Sequence, residues 1–403
     1  MVETEVSNRV ERRNSERPYA VVVGLDNLTG LQTARILRDR GVPVIGVAGD
    51  AGHWACRTNA CERVIIAPLE SSSLIDELVR LGPTLAERAV LVPCSDVCVM
   101  NLSANRHRFS DWFHLRLPDH ETVRMLTDKL EFVEFALANG LPIPRTFLLR
   151  QPEDVAPAAA ECRYPCVLKP ALTSRAWVSG AGAKVFKIAS ATELFATYDR
   201  VHRLTDTLIV QEWIEGTDAG LYSCNCYFDR NSRPLVSFVA RKIRQWPPIV
   251  GISSLGEEVR NDVVRDATLK LFAAASYQGL GYVEMKCDVR TGEHYIIEPN
   301  VGRPTGRSAI AEGGGVELLY TMYCDAVQDP LPSANEQRYT GVKWIYLRQD
   351  LRSALYYWRS GQLSFGDWVK SLRGKKVFAV ASWRDPKPFF ADLIGAVRNR
   401  YSA

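Results

Sequence analysis

The stretch from residue 282 to residue 300, YVEMKCDVRTGEHYIIEPN, constrains this chain more than any other segment of its length. It reads as a β-hairpin turning at Arg290-Thr291-Gly292. Three-residue hairpin loops commonly end in a left-handed residue, a conformation glycine enters without strain. Alternation along each strand then sorts the side chains onto two faces. Val283, Met285, Cys287 and Val289 point with Tyr295 and Ile297 toward a core. The opposite face carries Glu284, Lys286, Asp288, His294, Glu298 and Asn300, with Glu284 directly across from Glu298. Like charges facing each other across a ladder are unfavourable unless a cation lies between them. Two glutamates and an asparagine offer oxygen ligands that suit Mg²⁺ bound with the help of substrate phosphates. The alternative is a solvated outer face, partly neutralised by Lys286.

Upstream, residues 18–122 alternate buried strands with helices. Apolar runs at 19–24, 42–47, 63–68 and 89–94 are separated by helical patterns at about 31–40 and 73–81. This βα order predicts a doubly wound parallel sheet with its ligands at the carboxyl ends of the strands, where Asp26 and Asn27 follow the first one. A dinucleotide-binding enzyme with Asp50 on the ribose is the rival. It lacks GxGxxG, because Gly24 and Gly30 are six residues apart.

A second region begins near Asp128, a predicted N-cap with Glu131 as its capping-box partner. Leu130, Val133 and Leu137 form the apolar stripe of that helix, which Gly140 and Pro142 end. Strands follow at 164–171, 184–188, 207–214, 221–228 and 234–243, with helices at 192–203 and 262–278. The pattern is mixed α+β. Lys169 lies on one strand, and the glycine loop SGAGA (179–183) comes after it. Backbone N–H groups in such a loop can curl over phosphate oxygens while a lysine supplies a point charge. GxxxxGK[ST] is missing, so this is not a P-loop.

With 403 residues the chain is long enough for two or three domains. Its net charge is only +4, without an arginine-rich block interleaved with aromatics, so nucleic acid is not expected as a partner. Residues 1–17 read as a disordered tail without a signal-peptide apolar core, and no later run reaches bilayer length. Ten cysteines, several in apolar strands, fit reduced thiols in a cytoplasmic protein. The CxxxC pairs at 94/98 and 162/166 have no histidine at zinc-binding spacing.

The order of these features resembles the ATP-grasp superfamily over about residues 20–330: Lys129, Lys169, a glycine loop, QEWIEG, then an acidic hairpin ending in ExN. The segments LVPCSDVCV, TDKLEFVEFALANGLPIPRT, YPCVLKP, RKIRQWPP and VEMKCDVRTGEHYIIEPNVGR look most like predicted carboxylate–amine ligases and carboligases of that superfamily. The resemblance implies an α/β plus α+β fold. A pre-ATP-grasp domain would span 18–122 and an ATP-grasp domain of two α+β subdomains 123–330, with its lid at about 123–210. A small extension would follow at 331–403.

It also implies roles. Lys129 and Lys169 would bind ATP phosphates, with Gly180 and Gly182 forming the lid loop. Glu212 and Ile214 would meet adenine through their backbone, Gln211 would flank it, and Asp218 would hold the ribose. Glu284, Glu298 and Asn300 match the Mg²⁺ (or Mn²⁺) ligand positions, and Asp288 shares or replaces the first. Many relatives carry arginine two residues after the asparagine. Here Arg303 comes one place late, and Arg307 competes for the role. Lys242 and Arg241 either hold an anion or are cations at a strand end. Ser253 and Ser254 are substrate contacts by location.

The reaction implied is phosphorylation of a small-molecule carboxylate to an acyl phosphate, then attack by an amine, with amino acids among the candidates. Bicarbonate activation and non-catalytic ATP binding are the alternatives. Residues 331–403, rich in tryptophan and tyrosine, are expected to cap the pocket or to form a homodimer contact.

Overall fold

Short apolar runs at the N-terminus form a parallel five-stranded sheet in the computed structural model, which describes residues 17–171, 177, 180–183, 185–248 and 251–401. Its strands are β1 (Ala20–Val23), β2 (Val44–Ala48), β3 (Arg63–Ile66), β4 (Ala89–Pro93) and β5 (Phe113–Leu115), in the order β3-β2-β1-β4-β5. Helices cover both faces, which is why β1, β2 and β4 are apolar throughout. Helix α1 (Leu28–Asp39) begins earlier than its apolar stripe because Asn27 caps it, accepting from the Gly30 N–H at 2.9 Å. The order reverses between β1 and β4, so the turns after those strands flank one crevice.

A second, antiparallel sheet runs β6-β9-β7-β8, from β6 (Thr146–Leu149), β7 (Cys166–Pro170), β8 (Phe186–Ile188) and β9 (Leu208–Glu212). Lys169 sits on its β7. Ahead of it, α2 (Lys129–Ala138) is capped by Asp128, which accepts from the N–H groups of Leu130 and Glu131 at 2.9 and 3.0 Å. The reciprocal half of the expected capping box is not formed, since Glu131 pairs with Arg124 instead.

The third sheet has seven strands in the order β14-β13-β10-β11-β12-β15-β16. These are β10 (Leu221–Phe228), β11 (Pro234–Trp246), β12 (Ile252–Glu258), β13 (Gly279–Cys287), β14 (His294–Val301), β15 (Lys343–Ile345) and β16 (Lys376–Phe378). The acidic hairpin is β13–β14, and its Gly292 takes the left-handed conformation at φ 75°. Glu284 pairs with Glu298 as expected. Beyond that pair a bulge shifts the register, so Met285 faces Ile296 and Lys286 faces Tyr295. The buried face is therefore Val283, Met285 and Ile296, while Ile297 and Val289 are exposed, contrary to strict alternation.

The strands β12, β15 and β16 were not legible in the pattern. Two of them come from the aromatic C-terminal segment, which thereby extends the sheet rather than standing apart from it. That segment also reaches the first domain. Asp385, fully buried, accepts from Arg35 Nε at 2.8 Å, Thr58 Oγ1 at 2.5 Å and the Asn59 N–H at 3.0 Å. Helix α3 (Leu347–Arg359) packs on β11. Among the described residues no helix is long and apolar enough to cross a membrane, and none of the ten cysteines is in a disulfide.

Candidate active site

The Glu284/Glu298 pair lies where two cavities meet. The larger, about 520 Å³, is walled by the hairpin, by Lys242 of β11, by Arg303 and Arg307, and by the turns that follow β1 and β4. The smaller, about 180 Å³, holds Lys129, Lys169 and Gln211 and shares Glu298. Residues as far apart in sequence as Asn27 and Trp344 thus line the two adjoining cavities.

Glu284 is half-neutralised by the protein. Lys242 Nζ stands 3.3 Å from one of its oxygens and Arg307 Nη2 3.8 Å from the other. Arg307 is 4% exposed and donates to Ser223 Oγ at 3.0 Å through Nη2, while its Nη1 has no partner among the described residues. A buried donor left unmade costs free energy, and Arg307 is one of the residues lining the cavity.

Glu298 is different. It accepts no hydrogen bond from a described residue and is exposed at the cleft, where the protein around the cleft still desolvates its carboxyl. Burial raises its pKa above the ordinary glutamate value, Glu284 and Asp96 add to this, and Arg303 and Lys129 oppose it. The carboxyl is short of positive charge.

Arg303 follows a left-handed turn. Gly302 is left-handed at φ 71°, and a Cβ there would come within 2.4 Å of Leu117. That turn brings Arg303 back beneath the hairpin, where it donates to Tyr282 Oη and Asn300 Oδ1, both at 2.7 Å. Asp96 takes Nε at 2.5 Å and Nη2 at 3.0 Å. Arg303 and Arg307 border the same cavity.

Lys169 Nζ donates to Gln211 Oε1 at 3.0 Å, and Gln211 Nε2 to Thr146 Oγ1 at 2.9 Å. Burial lowers the Lys169 pKa to about 8, Lys129 contributing in the same direction and Glu298 against it. The Glu212 N–H is already bound to the Arg145 carbonyl at 2.9 Å, and Ile214 is buried. Gly180 and Ala181 are helical rather than loop, with Gly180 against Leu204; Gly182 is left-handed at φ 72° in open space. Ser179 of the expected loop and Lys184 of the expected strand lie outside the described residues.

Asp288 is not brought to the acidic face. It turns into the hairpin loop and accepts from Arg290 Nη2 at 2.6 Å and from the Arg290 N–H at 2.9 Å, contacts that hold it below its ordinary value. Arg241 also faces elsewhere, bound to Glu257 at 2.7 Å. Ser253 lines the cavity, whereas Ser254 is buried against Asp350. Among the described residues no three His, Cys, Asp or Glu side chains converge. The donor set facing the cavity is two carboxylates and the Asn300 amide oxygen. Asp96, Tyr282 and Ser223 escaped the sequence reading. Asp96 had a usable signal: it follows Ser95, the cap at the carboxyl end of β4, beside the switch point.

Several known proteins are similar to this chain. The D-aspartate ligase of Enterococcus faecium (strain Aus0004) is 23% identical over 237 residues, 56% of this chain and 55% of that protein. The N-terminal section of the carbamoyl phosphate synthase large chain of Methanopyrus kandleri is 23% identical over 300 residues, 71% of this chain and 51% of the relative. Among solved structures, N5-carboxyaminoimidazole synthetase from Staphylococcus aureus superposes with a TM-score of 0.60 at 13% identity, over 78% of each chain. The chain spans about half the length of the curated relatives it matches. No family model matches it.

Proposed function

We propose that this chain, which shares its fold and its relatives with the ATP-grasp enzymes, is an ATP-dependent carboxylate–amine ligase. The observation that carries the reading is the cross-strand pair Glu284/Glu298 with Asn300, bordered by Lys242, Arg303 and Arg307 and joined through Glu298 to the lysine cavity. Two carboxylates and an amide oxygen suit Mg²⁺ (or Mn²⁺) by ligand type, and the unshielded Glu298 and the free Arg307 Nη1 fit a divalent cation beside an anion. When bound, ATP would supply the phosphoryl group and the cation would offset charge on it.

The chain's own residues do the rest. Lys129 and Lys169 hold phosphate oxygens, Gln211 keeps the Lys169 ammonium aimed, and Asp218 takes the ribose hydroxyls. Arg307 and Lys242 hold the substrate carboxylate for phosphorylation to an acyl phosphate. Arg303, fixed by three partners, stabilises the negative charge that develops. An amine then attacks the acyl carbon, forming the amide and releasing phosphate, with ADP as the other product.

The bicarbonate-activating alternative needs little room, and a cavity of about 520 Å³ reaching the β1 turn is broader than such an ion requires. Release of ADP against a panel of amino acids, singly and in pairs, with Mg²⁺ is the test. Turnover that depends on two substrates is expected. Bicarbonate-dependent turnover would redirect the assignment, and tight ATP binding without turnover would remove catalysis.

The lysine gives a pH signature. Lys169 must be protonated to hold phosphate, so ATP affinity is expected to weaken as pH rises through about 8, with proton uptake on binding above it. Without ATP the sign reverses. The native Lys169 pKa lies below its ordinary 10.5, so across that window the unfolded chain binds more protons and stability rises with pH. Titration calorimetry in buffers of different ionisation enthalpy checks the first trend, and Lys169→Arg should flatten it.

A further inference from the structure

A third cavity, about 580 Å³, is lined by Lys286 and, along one side, by the C-terminal segment. Its walls include Trp213 and Asp218 from the linker after β9, Gln245 from β11, and Tyr356 and Tyr357 from α3. Asp218 is 9% exposed, and both its oxygens are engaged: Gln245 Nε2 donates to Oδ1 at 2.8 Å, and Tyr357 Oη to Oδ2 at 2.5 Å. Each oxygen of a carboxylate accepts twice, so Asp218 is immobilised with acceptor sites left over.

The donors are themselves fixed. Ser353 Oγ, one turn before Tyr357, donates to the Gln245 carbonyl at 2.9 Å, so β11 and α3 grip each other at the residue that grips Asp218. One residue earlier, Arg244 makes twin bonds to Asp350 of α3 at 2.8 and 3.0 Å. A helix from the last part of the chain is thus riveted to the strand beside the linker, with its phenol on the linker's acid.

We infer that α3 forms a wall of the nucleotide site and that Tyr357 is a positioning residue, holding Asp218 oriented to accept the vicinal hydroxyls of a ribonucleotide. This rests on the reading of Asp218 as the ribose acceptor and gives the C-terminal segment a part in nucleotide selection. The phenol remains a donor at neutral pH, because burial and the Asp218 charge both raise its pKa.

The test measures binding of MgATP and Mg-2′-deoxyATP to the full chain by calorimetry, so no acid or amine substrate is needed. Wild-type protein is expected to prefer ATP. Tyr357→Phe, which deletes one oxygen, should lower that preference by roughly five- to tenfold, the size of an ordinary net hydrogen bond, because the phenol acts on the ribose only through Asp218. A merely structural role would weaken both nucleotides alike, and an unchanged ratio in a folded variant overturns the inference. Asp218→Asn separates the two levels. If it leaves the ratio intact, the ribose assignment itself fails; if it collapses the ratio while Tyr357→Phe does not, only the role of Tyr357 fails. Should Tyr357→Phe not fold, hydrogen exchange of residues 353–359 in the wild-type chain decides. ATP is expected to slow it more than 2′-deoxyATP does, and equal protection would overturn the proposal.

Discussion

Glu298→Gln is expected to abolish measurable turnover, a loss on the order of a hundredfold or more, as when one preorganised charge-stabilising contact is removed. The substitution preserves shape and removes one charge. In the apo protein that charge is poorly placed, opposite Glu284 and with its pKa raised by burial. A carboxyl raised in the native state costs stability as pH rises through its pKa, so the glutamine variant should melt at or above the wild-type temperature near neutral pH. The two proteins should part on addition of Mg²⁺ with ATP, which raises the wild-type melting point and not that of the variant. Normal turnover in the folded variant would sink the metal assignment.

Asp350→Ala is expected to destabilise the chain by about 3–5 kcal/mol, the cost of stranding a buried charge. Asp350 is 1% exposed and accepts from both Nε and Nη2 of Arg244 and from Trp368 Nε1 at 3.1 Å. Without it the Arg244 guanidinium, with 5% of its side chain exposed, has lost its counter-charge. Thermal melting checks the prediction. A midpoint within about a degree of wild type would mean that water replaces the carboxylate and that the pair does not fasten α3 to β11.

Much of the geometry of the candidate site was legible because its signals are local. Cross-strand pairing put Glu284 against Glu298, and the strand-end rule put Asn27 beside the crevice. What failed did so where a local rule met a longer-range demand. The bulge after Glu284 overrode strict alternation, sending Ile296 inward instead of Ile297. Asp288 belonged by parity to the acidic face, but Arg290, two residues on, draws it into the turn. The roles of Asp96 and Tyr357 depend on partners 207 and 139 residues away, Arg303 and Asp218, and no window of sequence contains them. The strands β15 and β16 hold three residues each, too short for a periodic signal.

The clasp of Asp385 on Arg35, Thr58 and Asn59 imposes an order on the birth of the molecule. The ribosome releases the N-terminal sheet first, yet the guanidinium of Arg35 must wait 350 residues for its counter-charge. At ordinary elongation rates that delay is tens of seconds. Throughout it the α1 surface that Ala379 and Val380 later cover stays open to solvent. The parallel-sheet domain is therefore completed only after residue 385 has emerged, and a nascent chain stopped short of that point exposes a half-built interface.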